Sequence, residues 1–271
     1  MSNILQKIII YPVKSCRGIE LSHSEVGLRG LNYDRRYMLV DESGMFISQR
    51  KFPKMSLINM QMDDNGFVAS FSRDKIKSEI LIPFTTTKGN IISATVWDDT
   101  FDVILCDEVF GNFFSDILGS MLRLVYLPDS SQRYFDIPNE SQFGITSLAD
   151  AYPLLLMGTA SLHNLNSKLI DKIGMDRFRP NLIVETTEAF EEDFFGEFII
   201  GQQNFVSVKQ CSRCIVTTVD QTNGIIGKEP LKTLAEYRSF KNQIMFGMNV
   251  APLSEFQSVT VGDLLVMINS K

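Results

Sequence analysis

The chain contains no run of about 18 consecutive apolar residues, the length a membrane-spanning helix needs. Its opening Met1-Ser2-Asn3-Ile4 also lacks the charged and apolar regions of a secretion signal. These absences lead to the expectation of a soluble, cytoplasmic protein with no membrane partner. Positive charge is short as well. There are 26 Lys and Arg against 32 Asp and Glu, a net charge of -6, so no global field draws in nucleic acid and any anion must be captured locally. Cysteine occurs only at 16, 106, 211 and 214, too few and too uneven for a disulfide framework in 271 residues, and reduced thiols are expected. The two histidines, His23 in a polar turn and His163 on a helix, read as solvated or structurally satisfied, and Trp97, the single tryptophan, as packing.

What is present is β-branched and aromatic. Runs over Lys7 to Val13, Tyr37 to Val40, Met45 to Ser48, Phe67 to Phe71 and Glu79 to Phe84 predict strands, and Asp41-Glu42-Ser43-Gly44 a hairpin turn. Helical spacing predicts a helix from Glu108 to a stop at Gly119. A second helix is expected from an N-cap at Ser161 through Leu165, Leu169 and Ile173 to Gly174, and a third starting at Pro230. Strands return over Asn181 to Glu185, Glu197 to Ile200, Asn204 to Lys209, Cys214 to Val219 and Val259 to Ile268. The polar segment Pro128 to Phe143 suits a loop that joins the halves or closes over a site. The acidic run Glu191-Glu192-Asp193 reads as a solvated loop, or as a rim on which a basic partner docks.

The sharpest local feature is Cys211-Ser212-Arg213-Cys214, and three readings compete for it. A thioredoxin-like redox pair starts a helix, whereas this motif runs into a predicted β-branched strand. Structural zinc needs four ligands, and Cys16, Cys106, His23 and His163 form no second pair. The third reading is two buried thiols acting as small hydrophobes, against which Arg213 argues, because a neighbouring cation favours the metal-binding thiolate form of a cysteine. Spacing alone does not choose among them.

The surrounding segments add to the motif. Asp176-Arg177-Phe178-Arg179-Pro180-Asn181 precedes it, and Glu229-Pro230-Leu231, Phe246-Gly247 and Val261-Gly262-Asp263 follow in order. Together they resemble the MOSC family. Tyr11-Pro12-Val13-Lys14-Ser15-Cys16-Arg17-Gly18 and Gly30-Leu31-Asn32-Tyr33-Asp34-Arg35-Arg36 resemble the β-barrel domain that precedes MOSC in that family. The resemblance covers nearly the whole chain and is greatest to the amidoxime reducing components, mitochondrial and bacterial, which reduce N-hydroxylated compounds. It implies a β-rich α+β fold, with an N-terminal β-barrel-like domain over residues 1–125 packed on a MOSC β-barrel domain with a few helices over 126–271.

The resemblance also implies the site. Cys214 matches the cysteine that gives molybdenum its thiolate and is the catalytic and metal-binding residue. Lys14, Ser15 and Arg36 match positions that bind the pterin phosphate, and Arg179 and Asn181 match cofactor contacts. Ser212 and Arg213 line the same turn and are expected to donate to the pterin. Asp150-Ala151-Tyr152 lies in a further cofactor-contacting region where relatives can have hydroxyl residues, and Phe194-Phe195 stands where many have Trp. The implied cofactor is molybdenum-molybdopterin, the substrate a small N-hydroxylated molecule, and pyridoxal phosphate binding is an accompanying expectation. The chain ends at Lys271 without the ferredoxin domain that bacterial relatives often carry, which implies a separate electron-transfer protein such as a ferredoxin, flavodoxin or cytochrome with its reductase. The alternative is a carrier of molybdenum cofactor or of its sulfur. Either way a cleft should bring Lys14 and Arg36 near Arg179 and Cys214.

Overall fold

The computed structural model describes residues 3–73, 76–137, 143–253 and 257–270. A closed barrel of seven strands forms its centre. In order around the barrel these are Leu154–Gly158, Leu182–Val184, Asn3–Ile10, Leu264–Met267, Glu197–Ile200, Gln203–Arg213 and Gln243–Pro252, the last pairing back onto the first. Closure leaves no edge with unpaired backbone groups. Every neighbouring pair is antiparallel except Leu154–Gly158 with Leu182–Val184, where Leu156 lies opposite Leu182. That parallel pair needs a crossover, and the Thr159–Lys168 helix lies on it.

Alternation along the strands sorts side chains to two faces. Leu154 and Leu156 join Leu5, Ile8, Leu182, Phe198, Phe205 and Val250 in the main core, while Leu155 and Met157 face outward beneath the helices, with Leu165, Phe178, Leu234 and Phe246. Phe198 and Phe205 stack with centroids 5.5 Å apart, and burying each such ring contributes about 1.5–3 kcal/mol.

The N-terminal part supplies a four-stranded antiparallel sheet, in the order Tyr37–Val40, Arg123–Tyr126, Asp99–Leu105 and Ile91–Val96. A three-stranded meander, Asn59–Asp63, Gly66–Arg73 and Ile76–Pro83, stands beside it. Its residues Tyr37, Leu39, Phe67 and Phe114 belong to the same core as the barrel interior, so the two halves share one apolar centre. The Asn3–Ile10 strand lies in the barrel although all six of its other strands come from beyond residue 153.

Several expected elements appear with their expected signals. The Glu108–Leu118 helix begins where the Asp107 side chain accepts from the Val109 N–H and ends at Gly119, whose φ of 69° suits a left-handed cap. Asp41 Oδ1 accepts from the Ser43 and Met45 amides in the predicted turn, and Gly44 sits at φ 84°.

Other expectations are corrected. Met45 to Ser48 makes only isolated bridges. The second helix runs from Thr159 to Lys168 and not to Gly174, because the Asn166 side chain turns the chain by bonding both the amide and the carbonyl of Ile173. Cys214 to Val219 is a 3-10 turn over Ile215–Thr218 and not a strand. The Thr217 and Thr218 hydroxyls donate to the carbonyls of Cys214 and Ile215, offering the backbone a local alternative to a ladder. Val259 to Ile268 is broken by a turn at 261–263 into Gln257–Thr260 and Leu264–Met267. The segment 128–143 holds a hairpin of Arg133–Asp136 with Phe143–Thr146, and residues 138–142 lie outside the described residues.

The acidic run is not a solvated loop. Glu192 is fully buried and accepts from the Ser161 hydroxyl at 2.7 Å, and Asp193 pairs with Arg238 at 2.5 Å. Burial pushes the Glu192 carboxyl up, although the Ser161 hydroxyl and nearby amides oppose the shift. Glu192→Ala leaves a void and a Ser161 hydroxyl that still accepts from the Phe190 amide but has lost the acceptor for its own proton. It is expected to destabilise the protein by about 2–4 kcal/mol, read as a lower urea midpoint at unchanged slope.

Candidate functional site

One cleft of about 340 Å³ opens at the end of the barrel where the Asn3–Ile10 strand leaves and the Leu154–Gly158 and Leu182–Val184 strands enter. Four segments build most of it, Lys14-Ser15, Asp150 to Tyr152, Phe178 to Asn181, and the end of the Gln203–Arg213 strand with Cys214, and Arg35, Ser48, Arg50 and Asn249 add to the lining. Register shifts between Ser207 and Lys209 and between Gln210 and Ser212 bend that long strand, as bulges do where a side chain must be re-aimed.

The cleft concentrates cations in an acidic protein. Lys14, Arg35, Arg50, Arg179, Lys209 and Arg213 line it against one acid, Asp150. Lys14 is nearly buried and donates to the Leu148 carbonyl at 2.7 Å and to Asp150 at 2.6 Å. Burial lowers its pKa to about 8, with the half-exposed Asp150 opposing the shift. Burial would raise the Asp150 carboxyl, but the adjacent Lys14, with Arg50 and Arg35 behind it, holds it below the usual carboxylate range.

This predicts a pH dependence with a definite sign. Lys14 carries its charge below about pH 8 and loses it above, so the cleft's grip on an anion weakens as pH rises through that value. Sulfate, whose own charge is constant there, is expected to bind several-fold less tightly at about pH 9 than at about pH 7. Lys14→Met should bind it weakly at both, as calorimetry would show.

Arg179 is the centre of the cluster. It adopts φ 57°, its Nη1 donates to the Cys16 carbonyl at 2.7 Å, and its guanidinium stacks 4.1 Å from the Tyr11 ring centroid. Its Nη2 is buried with no hydrogen-bond partner among the described residues. Arg35 stacks on the same Tyr11 ring at 4.5 Å and donates to the Arg179 carbonyl at 3.2 Å. Two packed guanidinium groups with an unanswered N–H form an arrangement that an anion completes, because buried donors are almost always paired.

The thiol side is held separately. Arg213 donates to the Cys211 sulfur at 2.8 Å and to the Phe178 carbonyl at 2.7 Å. Cys214 is exposed on the cleft wall, at the N-cap of the Ile215–Thr218 turn. Among the described residues, no group of three or more His, Cys, Asp or Glu side chains is placed to hold a metal ion. A metal at Cys214 therefore has to bring most of its ligands with it, as a metal already held by a dithiolene does. The free thiol, the cation cluster and the orphaned Arg179 donor fit a phosphate-bearing molybdenum pterin.

The cleft brings together Lys14, Ser15, Arg179, Asn181, Ser212, Arg213 and Cys214. Asn181 reaches it with its polar groups already used: its Oδ1 accepts from Leu155 N and Arg35 Nη1, and its Nδ2 donates to the Ile9 carbonyl. It is a bracket for Arg35. Arg36 is not brought in. It donates to the Leu127 carbonyl and Asp129 and lines a different hollow. Arg35 occupies the cleft in its place, a residue that sequence reasoning missed by one position. The signal was absent because Arg35 sits at φ 49°, which breaks the alternation that assigns neighbours to opposite faces. Arg50 was missed too; it stacks 4.2 Å from the centroid of Trp97, on the far side of Asp150 from Lys14. Phe194 is exposed and Phe195 lies in the core, so neither shapes the cleft. His23 bonds Thr260 and stands apart from the cleft, as does His163.

Residues 2–121 match the MOSC N-terminal beta barrel domain, and residues 144–266 match the MOSC domain. Mitochondrial amidoxime reducing component 2 of Rattus norvegicus is 33% identical over 96% of this chain and 81% of its own length. Mitochondrial amidoxime-reducing component 1 of Homo sapiens is 32% identical over 84% of this chain and 70% of its own. Molybdenum cofactor sulfurase of Oryza sativa subsp. japonica is 29% identical over 95% of this chain, which spans 34% of that relative. The first two are named for mitochondria, which does not fit the cytoplasmic location expected from the sequence. No helix among the described residues is long and apolar enough to cross a membrane.

Proposed function

The chain belongs to the family that joins a MOSC N-terminal β-barrel domain to a MOSC domain, and from that membership we propose that it is a reductase of N-hydroxylated compounds. It binds molybdenum-molybdopterin and acts on amidoximes, hydroxylamines or N-hydroxylated bases. Its electrons come from a separate ferredoxin, flavodoxin or cytochrome with its reductase. A function tied to molybdenum cofactor follows from relatives that include amidoxime reducing components and a molybdenum cofactor sulfurase.

The observation that carries the reading is the buried, unpartnered Nη2 of Arg179, in a cleft that also presents the Cys214 thiol. When bound, the molybdenum pterin supplies the redox chemistry, in which an N-hydroxyl compound takes two electrons and two protons and leaves as amine and water. Everything else falls to the chain. Cys214 offers a soft thiolate that suits a metal already ligated by sulfur. Lys14, Ser15, Arg35 and Arg179 hold the phosphate, Arg179 by its free Nη2 and Arg35, already bonded to Asp34, Asn181 and the Arg179 carbonyl, by its charge. Asn181 fixes Arg35, and the Phe178 carbonyl fixes Arg213 beside Cys211. Tyr152, Leu155, Phe178 and Val216 form the apolar walls that exclude water. Pyridoxal phosphate has no part in this reading, which gives the phosphate site of the cleft to the molybdenum pterin. As domain limits we propose 1–125 and 126–271, with the first strand lent to the second barrel.

The second reading, a carrier of the cofactor or of its sulfur, is favoured by the sulfurase relative and by the exposure of Cys214. Molybdenum and pterin content, measured in protein from a cofactor-competent host and followed by addition of reduced dye and an amidoxime, separates the two. Bound metal with turnover supports the reductase. Bound metal without turnover leaves the carrier, and wild-type protein with neither metal nor pterin overturns both.

A further inference from the structure

Behind the cleft wall, two glutamines that do not line it are buried face to face. Gln49 and Gln221 are 1% and 4% exposed and 172 positions apart in the chain. Their amides bond reciprocally, Gln221 Nε2 donating to Gln49 Oε1 at 3.1 Å and Gln49 Nε2 to Gln221 Oε1 at 3.4 Å. Each also reaches one side of the site. Gln49 Nε2 donates to the Ser15 carbonyl at 2.7 Å, and Ser15 is held at φ 73° beside Lys14. Gln221 Nε2 donates to the Val219 carbonyl at 3.1 Å, just after the turn that begins at Cys214. Arg17 ties the same two regions, donating to the Gln221 carbonyl and, from Nε, to the Ser56 carbonyl.

A polar pair buried in this way earns no hydrophobic stabilisation, and apolar side chains of the same size would fill the space equally well. What amides add is direction, since each donor and acceptor is satisfied at only one relative placement of the two backbones. We propose that Gln49 and Gln221 are positioning residues, a latch that fixes the separation of the Lys14-Ser15 turn from the Cys214 segment so that one ligand can touch both. This rests on the reading above in that a single ligand is taken to use both sides. The consequence is that damage on one side of the latch is felt on the other.

The test is crossed and uses the whole 271-residue chain without metal. Sulfate affinity by calorimetry reports on the Lys14-Ser15 side. The rate of alkylation of Cys214 by iodoacetamide, followed on its own peptide by mass spectrometry, reports on the thiol side. Gln221→Leu, on the thiol side, is expected to weaken sulfate about threefold or more, and Gln49→Leu to change the Cys214 rate by a similar factor. The double variant should be no worse than the stronger single one, because the two residues act as a unit. Gln49→Glu keeps the volume and still accepts from Gln221, but sets an oxygen against the Ser15 carbonyl. It should change the Cys214 alkylation rate as Gln49→Leu does, which keeps the test alive if the leucine variants unfold. A purely structural pair would lower the melting temperature and leave both readouts unchanged in folded protein; that result, or effects confined to the mutated side, overturns the latch. Wild-type protein that takes up no molybdenum would sink the function proposed above without touching this comparison. If wild type binds no sulfate, the cation cradle fails and the alkylation rates alone decide.

Discussion

Cys214→Ser is expected to fold like the wild type and to lose molybdenum by a factor on the order of 100 when the protein is desalted. The side chain is exposed and its sulfur packs against no core, so stability should change by less than about 0.5 kcal/mol. A serine hydroxyl is a harder and far less acidic ligand than a thiol, and no other described side-chain cluster is placed to take over. Pterin retention separates the contributions. The cation cradle is untouched by this substitution, so pterin should fall less than metal when both are assayed on the same sample. Equal molybdenum in variant and wild type would remove Cys214 from the site. Cys211→Ser is the companion, expected to retain metal, because that sulfur is already engaged by Arg213.

Arg179 should give the second largest loss, and the choice of replacement matters. Its φ of 57° is costly for a residue with a Cβ, and glycine relieves that strain while removing the guanidinium. Arg179→Gly should therefore weaken pterin and sulfate binding on the order of 100-fold, since charge-assisted hydrogen bonds contribute about 1.5–3 kcal/mol each. The melting temperature should hardly change, the lost bond to the Cys16 carbonyl being offset by the relaxed backbone. Arg179→Lys keeps the charge but not the planar fork and should fall between, at about tenfold. Parallel losses of affinity and stability in the glycine variant would mark Arg179 as a structural brace instead.

Where local chemistry decides, the sequence can be read directly. Asp107 and Gly119 bracket their helix through capping that involves only near neighbours, and the Asp41 turn closes on its own side chain. Where distant partners decide, it cannot. Glu191-Glu192-Asp193 has the composition of a solvated loop, and only the arrival of Ser161 and Arg238 turns it into a buried bracket. Cys214 to Val219 has strand propensity throughout, but two threonine hydroxyls fold it back on itself. The site followed the same division. That Lys14, Ser15, Arg179, Ser212, Arg213 and Cys214 would line one cleft was an expectation of family resemblance, whereas the exchange of Arg36 for Arg35 in that lining hangs on one positive φ that residue type does not announce. Gln49 and Gln221 offered no signal, because a glutamine pair is defined only once the chain has brought 172 positions together.

The barrel's seventh stave has a temporal consequence. Asn3–Ile10 is synthesised long before its barrel neighbours Leu182–Val184 and Leu264–Met267. At roughly 5–20 residues per second, translation separates the first strand from the last by about 13–52 s. Until both neighbours arrive the barrel stays open and only the short Ile19–Leu21 strand can pair with this segment, while the four-stranded sheet and meander that follow it are free to form. Nascent chains stalled near residue 180 should therefore expose residues 3–10 to protease and recruit chaperones, and a fragment starting at residue 126 should need those eight residues supplied in trans before it can close.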